Sequence, residues 1–110
     1  MQASILDTTS LPWRDFADAP GVRYKVLRHH DGKRGITLML QFDPGARYPA
    51  HRHPGGEDYY VLDGTLDEGG HEYGAHTFVH HPPGSAHSPR SRGGCTILVM
   101  LPEHIERLDA

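Results

Sequence analysis

Gly45-Ala46-Arg47-Tyr48-Pro49-Ala50-His51-Arg52-His53-Pro54-Gly55-Gly56-Glu57, running on to Gly64, is the stretch that decides how this 110-residue chain is read. His51 and His53 are separated by one residue. In extended backbone, side chains two apart project to the same side, so two imidazoles are presented together. Pro54-Gly55-Gly56 then turns the chain and lets it return with the Glu57 carboxylate aimed at the same point. A second stretch, Pro82-Pro83-Gly84-Ser85-Ala86-His87, sets a Pro/Gly turn before a histidine that starts a strand, which places a third imidazole opposite the first pair. Three neutral imidazoles and one carboxylate suit one first-row divalent ion: iron, zinc, manganese, nickel, cobalt or copper. A lone histidine in a strand is more often a satisfied polar residue than a ligand, and His-x-His alone is a weak signal. The combined spacing outweighs that bland reading.

Working outward, the chain breaks into short strands. Val22 to Val26 alternates apolar and polar residues, the pattern of a half-buried strand. His29 to Lys33 supplies a turn with Asp31-Gly32 as its hairpin signal. Gly35 to Phe42 is a strand with Ile36, Leu38, Leu40 and Phe42 on one face. Glu57 to Leu62 is a strand, broken tightly by Asp63-Gly64. Leu66 to Tyr73 reads as a polar hairpin tipped by Gly69-Gly70. Thr77 to His81 is a strand stopped by Pro82-Pro83-Gly84. Cys95 to Leu101 is a strand buried on both faces. Pro102 opens a C-terminal helical turn. Residues 1–20 form an irregular arm with a helical turn near Trp13 to Phe16, and residues 21–110 form one domain. Strands this short, with turns every eight to twelve residues or so, predict an all-β sandwich or barrel.

The stretch from Gly45 to Gly64 resembles the first motif of the cupin superfamily without departure, and Pro82 to His87 resembles the core of the second. The resemblance runs from about Val22 to Leu101 and implies an antiparallel double-sheet jelly-roll barrel. Carried over residue by residue, it makes His51, His53, Glu57 and His87 the ligands of one divalent metal ion per chain. Two positions depart from the second motif: His76 stands where its glycine usually does, and Ser91 where its asparagine does. Pro49 to Glu57, Tyr73-Gly74, His81 to Pro89 and Gly94 to Val99 together resemble the ChrR-type branch. There the cupin is half of a zinc-bound anti-sigma factor, and free-standing relatives are similar to small dioxygenases such as acetylacetone dioxygenase. The anti-sigma half needs a helical zinc module with Cys and His ligands, for which this chain has neither length nor cysteines, so that partner is not carried over.

Composition narrows the field. At 110 residues one domain is expected. Hydrophobic residues at 36% and charged residues at 23% fit a soluble globular chain rather than a disordered one. The longest apolar run, Ile97 to Leu101, is too short for a bilayer, and Met1 to Ser10 lacks a signal pattern, so a cytoplasmic protein is expected. A net charge of −3 argues against nucleic acid as a partner. The single cysteine, Cys95, reads as a small buried hydrophobe.

Ten histidines are the anomaly, and seven of them fall between His51 and His87. His80 and His81 alternate on a strand, so one faces inward and one outward; a pocket role beside the ligands is open to one of them, and surface or rim is the favoured reading. Tyr59 and Val61 share parity with Glu57 and should point inward. Met39, Phe42, Phe78 and Met100 are candidate pocket walls, and Arg47 is the one obvious charged candidate.

Three functional readings follow. The first is an oxygen-activating metalloenzyme that cleaves a small diketone-like substrate, with an Fe(II)-like ion. The second is a metal-dependent isomerase or lyase. The third is a non-catalytic sensor of ChrR type. The first is favoured because the free-standing relatives lean that way and the presumed pocket is apolar. A small-molecule substrate or ligand and a homodimer are expected. Metal affinity should collapse between about pH 7 and 5, where ordinary imidazoles protonate.

Overall fold

Short alternating strands can bury their apolar faces only by pairing edge to edge and closing on themselves. A computed structural model describes residues 2–32 and 34–108, and among them there is no α-helix. Strands β2 (Val22–His29) and β3 (Ile36–Phe42) form an antiparallel hairpin, from Val22 opposite Phe42 to His29 opposite Ile36. β9 (Cys95–Leu101) pairs with the other edge of β3 and with β5 (Glu57–Glu68). β6 (His71–Gly74) folds back on the second half of β5, and β7 (Phe78–His81) pairs with its first half. With the short β1 (Arg14–Asp15) on β2, these make a seven-stranded sheet. The facing sheet has three strands in the order β10-β4-β8: β10 is Glu106–Arg107, β4 His51–His53 and β8 Ser85–His87. The two antiparallel sheets make the cupin-like jelly roll that the resemblance implies. Its core includes Val22, Phe42, Tyr59, Val61, Leu66 and Val99, all fully buried.

Four local expectations are corrected. Asp63-Gly64 does not break β5. The strand runs unbroken for twelve residues, with a register shift against β9 between Val61 and Asp63. Gly64 is required there: a Cβ would lie 2.1 Å from the Gly94 carbonyl oxygen, and φ is +74°. The helical turn lies at Thr8–Ser10 and is of the 3-10 type, with the Asp7 carboxylate accepting from the Thr9 amide. Trp13 to Phe16 is instead held extended by β1 pairing on β2, and the Phe16 amide donates to the Val22 carbonyl. After Pro102 the chain forms no helix; β10 pairs with β4, Arg107 opposite His51. β9 buries Cys95, Thr96, Ile97 and Val99, but Leu98 and Met100 are half-buried, so only part of it is covered on both faces.

The two departures from the second motif keep the backbone in place. His76 adopts φ +73°, the one positive φ at a non-glycine residue among those described, and its amide donates to the Val61 carbonyl at 2.8 Å. Ser91 is fully buried, and its hydroxyl donates to the Thr65 carbonyl at 2.6 Å.

Candidate metal centre

Pairing of β4 with β8 sets His51 opposite His87, and directly opposed residues share a face. His53, two residues along β4, joins them. The result is a triangle of Nε2 atoms: His51 to His53 is 2.9 Å, His53 to His87 is 3.0 Å, and His51 to His87 is 3.0 Å. Glu57 opens β5 just beyond the Pro54-Gly55-Gly56 turn. Its Oε1 lies 3.5 Å from Nε2 of both His53 and His87. His51, His53 and Glu57 are buried, and His87 nearly so. The structure thus brings together all four residues singled out in the sequence.

The electrostatics follow from burial. Burial lowers His51 to about 4, although the Pro49 carbonyl works the other way by accepting from its Nδ1 at 2.8 Å. Burial and the neighbouring imidazoles lower His53 to about 3. Burial raises Glu57 to about 7.

These groups are poorly satisfied as they stand. A neutral imidazole carries one N–H. His51 donates it from Nδ1 to Pro49, so a bare lone pair faces the other two nitrogens. His53 Nδ1 and Glu57 Oε1 are buried without hydrogen-bond partners. Buried acceptors left in this state are costly, and a cation at the shared point would satisfy the facing Nε2 lone pairs and Glu57 Oε1, though not His53 Nδ1 on the far side of its ring. Bonds of about 2.1 Å to imidazole nitrogens place those nitrogens about 3.0 Å apart at right angles, and about 3.4 Å apart at the tetrahedral angle. The triangle's spacing of 2.9–3.0 Å is thus compatible with three imidazoles that would hold one ion. This His/Glu group could hold a metal ion.

The cluster forms part of the wall of a cavity of about 220 Å³. Ile36, Leu38, Leu40 and Phe42 of β3, with Ile97, Val99 and Leu101 of β9, supply its apolar lining. Of the four pocket-wall candidates only Phe42 lines it. Met39 and Met100 have the opposite parity, and Phe78 is 58% exposed. Arg47 is also outside it. Arg47 lines a separate polar cavity of about 320 Å³ with Asp67, Glu68, Arg90 and Arg92, and donates to the Ser88 carbonyl at 2.9 Å.

Sequence reasoning missed two residues. His81 pairs opposite Glu57 and therefore faces inward, 4.8 Å from the His87 ring centre to centre, while His80 faces out to Asp58. Glu68 meets His87 Nδ1 at 2.9 Å and accepts from the Tyr59 hydroxyl at 2.5 Å. His81 Nε2 lies 2.8 Å from Glu68 Oε1, off the line of a hydrogen bond. Burial works to raise Glu68, yet the hydrogen bonds from His87 and Tyr59, with the charges of His87 and His81, outweigh it and hold the carboxyl at about 2. The bulge hid Glu68. Strict alternation from Glu57 points residue 68 outward, and the extra residue near Asp63 reverses it.

The family profile of the ChrR cupin-like domain matches residues 1–104. No curated protein matches the sequence. Among solved structures, a candidate acetylacetone dioxygenase from Methylibium petroleiphilum is 16% identical, over 99% of this chain and 83% of that one, with a TM-score of 0.92. The acetylacetone dioxygenase of Acinetobacter johnsonii is 14% identical, over 99% and 78%, with a TM-score of 0.84. The anti-sigma factor ChrR of Rhodobacter sphaeroides, solved with SigE, is 26% identical, over 83% of this chain and 48% of ChrR, with a TM-score of 0.71. The chain thus corresponds to about half of ChrR. The two dioxygenase matches carry the fold alone.

Proposed function

This chain belongs to the ChrR cupin-like domain family, and from that premise we propose that it is a metal-dependent dioxygenase that cleaves a carbon–carbon bond in a small diketone-like substrate. The observation that carries the reading is the imidazole triangle set in the wall of an apolar cavity. His51, His53 and His87 would hold the ion, with Glu57 as the fourth, oxygen ligand. Fe(II), when bound, supplies the redox chemistry that lets dioxygen react with an organic substrate.

The chain's own residues do the rest. Leu38, Phe42, Ile97 and Val99 pack against the carbon skeleton and exclude water. A cavity of about 220 Å³ restricts the substrate to a few carbons. An isomerase or lyase acting on a polar metabolite needs further charged groups around its substrate. Among the described residues the cavity wall holds only Glu57 and histidines as titratable groups besides tyrosines, and Arg47 lies elsewhere.

The test is oxygen uptake by protein loaded anaerobically with Fe(II) and given acetylacetone, with a zinc-loaded sample in parallel. Iron should support uptake and zinc should not, because zinc has no redox chemistry. Equal turnover with both ions would point to Lewis-acid chemistry. No turnover with any first-row ion would favour a sensor of ChrR type.

A further inference from the structure

We infer that Glu68 is a positioning residue for the metal centre: its carboxylate fixes the proton of His87 on Nδ1 and so turns a bare Nε2 toward the point shared with His51 and His53. The inference rests on the reading of His87 as a metal ligand.

A carboxylate accepts hydrogen bonds and does not donate them. With Glu68 Oε1 at 2.9 Å, His87 must donate from Nδ1. A neutral ring has one N–H, so Nε2 is left as a lone pair. The Pro49 carbonyl imposes the same form on His51. Two of the three imidazoles are therefore held with lone pairs 3.0 Å apart, which repel each other until a cation lies between them. His53 has no such partner, since its Nδ1 is buried and unpaired.

Glu68 is itself held in place. Its side chain is 8% exposed, and the Tyr59 hydroxyl grips the second oxygen, so the carboxylate cannot swing away from His87. Both residues lie on β5. Tyr59 precedes the register shift and Glu68 follows it, so residues nine apart reach one interior point. Beyond Glu68 lies the polar cavity of Arg47, Arg90 and Arg92, so the carboxylate stands between that cavity and the cluster. Partners of this kind orient ligand imidazoles, and losing one typically weakens metal binding by about ten- to hundredfold.

The test has two parts. In metal-free, 15N-labelled protein, long-range 15N–1H correlations report which nitrogen of His87 carries the proton. Nδ1–H is expected, and Nε2–H in the unmodified protein overturns the inference with no variant needed. Co(II) affinity is then measured by competition with a chromophoric chelator. Glu68→Gln, whose amide can donate to Nδ1, should admit the other tautomer. It should also weaken Co(II) about ten- to hundredfold and change the visible Co(II) spectrum. Tyr59→Phe, which leaves the carboxylate in place, should cost less than Glu68→Gln. A purely architectural role would lower Tm and leave tautomer, spectrum and affinity alone, and that outcome overturns the inference. If the unmodified protein takes up no Co(II) while the tautomer still follows Glu68→Gln, the metal reading fails and the hold of Glu68 on His87 stands.

Discussion

The two segments that converge on the candidate metal centre differ in how closely they follow their motifs. Gly45 to Gly64 keeps its pattern throughout and delivers two imidazoles and a carboxylate from β4 and the start of β5. His76 to Ser91 delivers one imidazole, with histidine in place of a glycine and serine in place of an asparagine. Yet the second segment seats His87 as closely in the triangle as the first seats His51 and His53. What position 76 must supply is a left-handed backbone, and His76 adopts it at φ +73°. What position 91 does supply is a buried hydrogen bond, which Ser91 makes to Thr65. The departures should therefore appear as local strain, while His87 stays in register.

The sharpest way to break this comparison is to remove ligands from each side. His51→Ala, His53→Ala and His87→Ala should each lower metal affinity by orders of magnitude, and Glu57→Gln should be milder. A distinctly weaker effect for His87→Ala would show that the second segment seats its imidazole loosely. Elemental analysis of purified variants measures this, and full occupancy in the His51/His53 double variant would remove the ligand assignment.

Acidity comes next. The expectation that imidazoles lose their metal between pH 7 and 5 needs revision for the first segment. Burial keeps His51 and His53 neutral until about 4 and 3, so protons do not compete for them in that range. As a proposed ligand, Glu57, raised to about 7, must lose a proton to bind, so it alone of the first segment's three proposed ligands should cost affinity there, about tenfold per pH unit below 7. Glu57→Gln should flatten that dependence in a Co(II) titration run from pH 7 to 5. In metal-free protein the shifts act on stability. For the lowered imidazoles the unfolded chain takes up protons first, so stability falls as pH drops below 6.5. For Glu57 the fold holds the proton more tightly, so stability falls as pH rises from 4.5 through about 7. Two imidazoles outweigh one carboxyl, and Tm should decline from pH 6.5 to 4.

Smaller effects sharpen the second segment. Ser91→Ala strips the Thr65 carbonyl of its side-chain donor and should cost about 1–3 kcal/mol, read from the urea midpoint. His76→Gly should relieve the left-handed strain and gain about 1 kcal/mol. The exposed contact from Tyr60 to His76 at 3.1 Å is lost, with little effect.

Spacing made the four-residue cluster legible, because His-x-His and the two Pro/Gly turns constrain backbone directly. The hairpin at Gly69-Gly70 was legible for the same reason: both glycines take positive φ. Residues whose facing depends on a bulge or on a partner strand were not legible. Glu68 changes side because of the register shift near Asp63, and His81 faces inward because it pairs opposite Glu57. Met39 and Met100 were offered as pocket walls although their own strands alternate them away from Leu38 and Val99. The segment after Pro102 carries no alternation of its own and takes its strand form from the edge of β4.

That last pairing has a kinetic consequence. β4 is three residues long and lies between β8 and the two-residue β10, with the Leu108 amide donating to the Ala50 carbonyl just beyond. Arg107 also pairs with Asp18, tying this edge to the loop that follows β1. Peeling residues 106–108 away would uncover the edge of β4 at His51 and Arg52. Amide exchange at β4 should therefore run at the pace of that peeling, and an ion bound at the proposed site should slow both together, so that the edge strand would act as the clock for opening the histidine cluster.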